Sequence, residues 1–109
     1  MSADRAPVVY DVYSDANPAS TEANFYLSND RPDAQLEVTI SVYNMLGQPV
    51  WQSVTTGRSD MYLTSPVTWD LCDRAGHRVI RGIYLYQASI REGDTVSNTR
   101  TRRIAVTGR

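Results

Sequence analysis

At 109 residues the chain is sized for one domain around one hydrophobic core. Its 41% apolar content and seven tyrosines exclude a disordered chain, and a formal charge of −1 excludes a strong field drawing it to nucleic acid or anionic lipid. All eleven basic residues are arginine, and a single cysteine, Cys72, excludes an internal disulfide framework or a multi-cysteine metal site.

The opening "MSADRAP" lacks the charged-then-apolar pattern of a signal peptide, and no apolar run nears the roughly 20 residues needed to span a bilayer. The chain is therefore expected to be either cytoplasmic or a piece of a longer exported protein. Residues 1–7 read as a disordered or appended lead, and 8–109 as one domain.

The elements follow in chain order. "VVYDVY" is a first strand. "TEANFYL" alternates Ala23, Phe25 and Leu27 against Asn24 and Tyr26. "LEVTISV" sets Leu36, Val38, Ile40 and Val42 against Glu37, Thr39 and Ser41, the period-two pattern of a strand with one face on a core. "LGQP" then marks a hairpin. Gly47 is expected to supply the positive φ at the first central position of a type II′ turn, with Gln48 beside it. Pro49 suits an unpaired or edge position of the returning strand. Leu46 is expected to keep the inward parity of the preceding strand, with Met45 and Tyr43 on the outer face.

"PVTWDL" places Val67, Trp69 and Leu71 opposite Thr68 and Asp70, and "DRAGH" follows as a turn in which Asp73 leads to Gly76. "GIYLYQASI" is apolar on both faces in its first half and reads as a central strand, with Tyr84 and Tyr86 on one face. The tail "TRTRRIAV" puts Arg102, Ile104 and Val106 on one side and Thr101 and Arg103 on the other. About seven strands separated by short turn signals predict an all-β fold, an immunoglobulin-like antiparallel sandwich.

The residues offer little chemistry. Cys72 and His77 flank one turn, where a nucleophile, a base and an oxyanion site rarely converge. Asp70 and Asp73 lack the alternating ligands and distal glutamate of a calcium loop. No phosphate-binding or dinucleotide motif is present, so no cofactor, metal or catalytic residue is expected. The cluster Arg100, Arg102 and Arg103 reads as charge that protects a late or edge strand from pairing, in preference to a nucleic-acid site.

Taken together, "NP" at residues 17–18, "VTISVYNMLGQPVW", "VTWDLCDRAGHRVIRGIYLYQASI" and the closing "NTRTRRIAV" resemble the C-terminal sorting domains of the type IX secretion system of Bacteroidota. Those domains are similar to the immunoglobulin-like module of the flagellar hook-capping protein FlgD. The likeness covers roughly residues 8–109. "YLSNDRP" ahead of the long strand, and "WDL" where the family commonly has "WDG", narrow it to the domain carried by the system's own sortase, a cysteine peptidase whose active site lies outside this chain.

The resemblance implies a secretion signal and docking module at the outer-membrane surface. It would be held there by the β-barrel protein PorV and the attachment machinery, working by recognition and not by catalysis. Tyr43, Met45, Gln48 and Trp51, with Arg100, Arg102, Arg103, Ile104 and Val106 of the tail, are the candidate partner-binding residues. Two alternatives stand beside this: a cleavable sorting domain of a secreted cargo, and a structural or carbohydrate-binding sandwich appended to a surface enzyme. A glycan site would need Trp51 and Trp69 exposed.

Overall fold

The computed structural model describes residues 9–29, 35–58 and 66–107. The strands are β1 (Val9–Ser14), β2 (Ala23–Asn29), β3 (Gln35–Tyr43), β4 (Pro49–Arg58), β5 (Val67–Trp69), β6 (Gly82–Glu92), β7 (Thr95–Asn98) and β8 (Arg102–Val106). They form two antiparallel sheets, one ordered β1-β2-β5 and the other β4-β3-β6, with β7 and β8 sharing the far side of β6. The fold is an all-β sandwich. Residues 1–7, read from sequence as a lead, lie outside the described residues.

Alternation builds both layers. Leu36, Val38, Ile40 and Val42 of β3 are buried and their neighbours half-exposed, as period two requires. β6 is the hub: it pairs with β3 along one side, with β8 through residues 82–86 and with β7 through residues 89–92 along the other. Where one partner hands over to the next, the Ala88 N–H donates to Thr99 Oγ1 at 3.0 Å and the Thr99 N–H to the Ala88 carbonyl at 2.9 Å. The buried Thr99 hydroxyl thus fills a gap in the ladder. β7 is the strand that sequence periodicity missed. "TVSN" buries none of its side chains fully, so no apolar alternation announced it.

The core joins Phe25, Leu27, Val67 and Trp69 of the smaller sheet to Ile40, Val42, Tyr84, Tyr86, Ile90 and Ile104 of the larger. Trp69 is fully buried and packs on rings from both layers: Phe25 at 6.5 Å between centroids, Trp51 at 6.0 Å and Tyr84 at 6.1 Å. Its indole Nε1–H donates to the Cys72 carbonyl at 2.8 Å, so burial leaves no orphaned donor.

The β3–β4 hairpin differs from the type II′ expectation. The Gly47 N–H donates to the Asn44 carbonyl (2.9 Å) and the Asn44 N–H to the Gln48 carbonyl (3.0 Å), which closes a three-residue loop with Gly47 at φ +83° as its bulge residue. Asn44 Oδ1 accepts from the N–H groups of Leu46 and Gln48, at 3.0 and 2.9 Å, and holds the loop. Strand parity therefore ends at Tyr43. Leu46 sits in the loop, 84% exposed, and does not continue the inward row. The "DRAGH" turn repeats the device. Asp73 Oδ1 accepts from Ala75 and His77, each at 3.0 Å, and Gly76 takes φ +87°. The two-residue turn is found elsewhere, at Gly93 (φ +60°) and Asp94 between β6 and β7.

Leu71 has a φ of +65°, a left-handed conformation unusual for a residue with a γ-branched side chain, and is fully buried. This is where the resembling family commonly has glycine. The Asp70 carboxylate accepts the Cys72 N–H at 3.0 Å and the Leu71 carbonyl accepts from Val79 at 2.9 Å, so the surrounding turn holds the strained residue in place. Leu71→Gly relieves about 1–2 kcal/mol of backbone strain but removes a core side chain worth about 2–5 kcal/mol. Urea unfolding of this variant is expected to show a net loss of up to about 4 kcal/mol; a gain in stability would mean that backbone strain at Leu71 outweighs its packing.

Candidate functional site

The two outer sheet faces differ in chemistry. On the smaller sheet, Asp15 accepts from the Asn24 side chain at 3.0 Å, Thr68 donates to Asn24, and Tyr13 stacks on Tyr26 at 5.6 Å between centroids. The Asn24 hydrogen bonds hold the Asp15 carboxyl below its ordinary value. That face is polar and largely self-satisfied.

The larger sheet presents an apolar row. Because Val42, Tyr84 and Tyr86 point inward, Tyr43 and Leu85 point outward. Tyr43 lies opposite Leu85 across β3–β6 and opposite Pro49 across β3–β4, and Leu85 lies opposite Arg103 across β6–β8. Pro49, Tyr43, Leu85 and Arg103 therefore form one line across four strands, with side chains about 5 Å apart between neighbours. Ile83, 45% exposed and opposite Ala105, extends the line toward the end of the sheet where Met45 and Leu46 project from their loop. Ile80, also exposed, leads into the same strand. Large apolar side chains gathered at one end of a sheet and bordered by arginine have the make-up of a contact surface.

The residues singled out from the sequence are not all brought together. Tyr43, Met45 and Arg103 belong to this surface. Gln48 lies beside it, its side-chain oxygen accepting from the Asn44 amide at 2.7 Å. Trp51 turns inward, half-buried against Trp69. Ile104 and Val106 are core residues, 0% and 2% exposed. Arg100 is exposed in the link between β7 and β8, whereas Arg102 spans the sandwich edge to Asp11 in a two-pronged ion pair, with Nε donating to Oδ1 at 2.8 Å and Nη2 to Oδ2. Leu46, Ile80, Ile83 and Leu85 were missed. For Ile83 and Leu85 the signal was available: a strand apolar on both faces, with no third layer in so short a chain to cover the second.

Backbone pairing of the tail is already taken. The Asn17 amide donates to the Arg103 carbonyl at 3.2 Å and its oxygen accepts from Ala105 at 3.0 Å. The Ala19 N–H donates to the Ala105 carbonyl and the Ala19 carbonyl accepts from Thr107, both at 2.8 Å. Arg78 adds bonds to the carbonyls of Ser20 (2.8 Å) and Thr107 (3.0 Å). The outer edge of β8 is thereby sealed, and what the strand presents outward is side chains such as Arg103.

Among the described residues no hydrogen bond joins Cys72 to His77. Cys72 Sγ donates toward the Asp70 carbonyl at 3.6 Å, and desolvation together with the Asp70 charge pushes its thiol above the ordinary value. His77 is exposed on the turn. Among the described residues no group of three or more His, Cys, Asp or Glu side chains is placed to hold a metal ion.

These features define a β-sandwich module with an outward apolar face. No protein-family profile matches the chain, and no curated protein does. Among solved structures the chain is similar, over its whole length, to part of PorU from Porphyromonas gingivalis, a protein described in a dimeric latent form, with 23% identity and a TM-score of 0.85. It spans 10% of the PorU chain. It is also similar to part of a β-glucuronidase from Parabacteroides merdae: 16% identity, TM-score 0.62, covering 93% of this chain and 14% of that one. A third likeness is to PorZ, an essential surface component of the type IX secretion system of P. gingivalis: 17% identity, TM-score 0.50, covering 88% of this chain and 11% of PorZ. At these identities the shared property is the fold.

Two outcomes are expected. Arg102 holds the Asp11 carboxyl below its ordinary 3.8, so the pair's stabilisation is present above that value and lost as pH falls through the lowered folded-state one. Asp11→Asn is expected to cost about 1 kcal/mol at neutral pH, the partial exposure of both side chains limiting the effect. The gap from the parent should close in acid, followed by thermal melts across the acid range. Iodoacetamide at neutral pH is expected to modify Cys72 more slowly than free cysteine; faster labelling would show an activated thiolate.

Proposed function

We propose that this chain is a recognition module of the type IX secretion machinery, a sorting and docking domain of the kind carried by a PorU-like sortase. In this reading it lies at the outer surface of the cell, where a PorV-type outer-membrane β-barrel holds it, and any peptidase chemistry belongs to a part of the protein outside these residues. The observation that carries the reading is the row Pro49, Tyr43, Leu85 and Arg103, with Ile83, Met45 and Leu46 beyond it: an apolar surface bordered by arginine. The secretion-system context is supported by the likeness of the whole chain to part of PorU, by PorZ, and by the ordered motifs of the sequence.

Burial of Ile83 and Leu85 against a partner contributes roughly 25 cal/mol per Å² of apolar area, and Arg103 at the rim contributes orientation more than affinity. The reading of a glycan platform built from the two tryptophans has less support, because Trp69 is fully buried and Trp51 packs on it.

The test is capture of the source organism's PorV-type barrel by the 109-residue chain. Deleting "RRIAV" does not serve, since it removes core residues Ile104 and Val106. Leu85→Glu and Arg103→Glu leave the core intact and are expected to weaken capture by about tenfold or more and by a few fold respectively, with circular dichroism unchanged. Equal capture by the Leu85→Glu variant, or none by the parent chain, would overturn the proposal.

A further inference from the structure

The strand edges of this sandwich are not equally protected. β8 is sealed by Asn17 and Ala19, β5 has three residues and β7 four, and β1 carries a register irregularity and the Asp11–Arg102 pair. β4 differs: ten residues long, it pairs with β3 on one side, and among the described residues no strand pairs its other side. Devices that blunt a free edge are proline, charge and shortness. Here the one proline opens the strand, and residues 50–57 carry no charge.

Which groups face outward follows from parity. The Asn44 N–H points to β4, and alternate residues of an antiparallel strand aim their backbone groups to opposite sides. Val42, Ile40 and Val38 therefore face β4, and their partners Trp51, Ser53 and Thr55 are the β4 residues bonded to β3. The N–H and C=O groups that face away from β3, unpaired by any strand among the described residues, belong to Gln52, Val54 and Thr56. Such a row is chemically specific for an extended strand.

The geometry points to a second copy of this chain as that strand, with β4 pairing antiparallel to its own symmetry mate about a two-fold axis at Val54. Such a pairing is self-complementary residue by residue. Val54, 58% exposed, meets Val54 of the mate, a β-branched pair. Gln52 meets Thr56 and Ser53 meets Thr55, with no charge facing its like. Trp51 falls opposite Gly57, where nothing lies within 4 Å of a side-chain position, so the bulkiest residue of the strand meets the one without a side chain. The two larger sheets then become one continuous sheet through the dimer, and the apolar row of each copy remains open on the outer face.

Sedimentation velocity on the 109-residue chain, from micromolar to millimolar concentration, tests this. The parent is expected to form a reversible dimer. Val54→Pro removes an N–H that faces away from β3, which an edge strand tolerates, and Val54→Lys places two ammonium groups face to face. Each is expected to lower the association constant by about tenfold or more with unchanged circular dichroism. Val54→Glu alone should behave likewise, and mixing it with Val54→Lys should restore a dimer, which only pairing of Val54 with itself predicts. A parent chain that stays monomeric, dimerisation of Val54→Lys equal to the parent, or failure of the mixed pair to associate would overturn the proposal. Should Val54→Pro misfold, the lysine and glutamate variants decide the matter.

Discussion

The packing between the layers is organised around one side chain at the shortest strand. Trp69 starts on the three-residue strand β5, too short to hold a sheet together by hydrogen bonds alone, and reaches Trp51 and Tyr84 of the opposite sheet. Its ring supplies the apolar contact that a brief strand lacks, and its indole N–H fixes the start of the Cys72–Arg78 hairpin through the Cys72 carbonyl. Residues flanking it inherit that constraint. Leu71 is driven into the left-handed region because the chain must turn immediately after Trp69 while still burying the next-but-one side chain. Strain in the backbone and completeness of the core are two sides of one solution.

The hairpins show how local chemistry sets strand parity, and through it which side chains turn outward. Asn44 and Asp73 each use one side-chain oxygen to collect two backbone N–H groups, and each precedes by three residues a glycine at positive φ. In the first loop this ejects Met45 and Leu46 from the sheet and leaves both exposed at the end of β3. The apolar surface is therefore as much a product of the turn as of the strands.

The layers were legible in the sequence because their signal is periodic: Leu36, Val38, Ile40 and Val42 announce themselves without any knowledge of what they pack against. The central place of β6 was legible from its run of β-branched and aromatic residues, although the outer face of that run, Ile83 and Leu85, is left open. Three things were not. β7 is specified by its pairing with β6 and not by its own polar residues. The loop type at Gly47 rests on Asn44, a residue three positions earlier whose side-chain bonds no alternation reveals. The inward turn of Trp51 follows from an irregularity in the register, where Val42 pairs with Trp51 but Tyr43 pairs with Pro49. Of the surface residues, Tyr43, Met45 and Arg103 were readable as outward, whereas Leu46 was masked by an assumption that the strand continued through it.

The sealing of β8 has a consequence for how such a domain can be known to another molecule. Residues near the start of the chain cap the backbone of residues near its end, and a guanidinium from the middle ties the two together. The backbone of Arg102–Val106 is thus engaged on both sides within the sandwich and offers no open edge to an extended peptide. That backbone is accessible as an extended strand only before folding or after wholesale unravelling; once the sandwich has closed, these residues present side chains and shape alone.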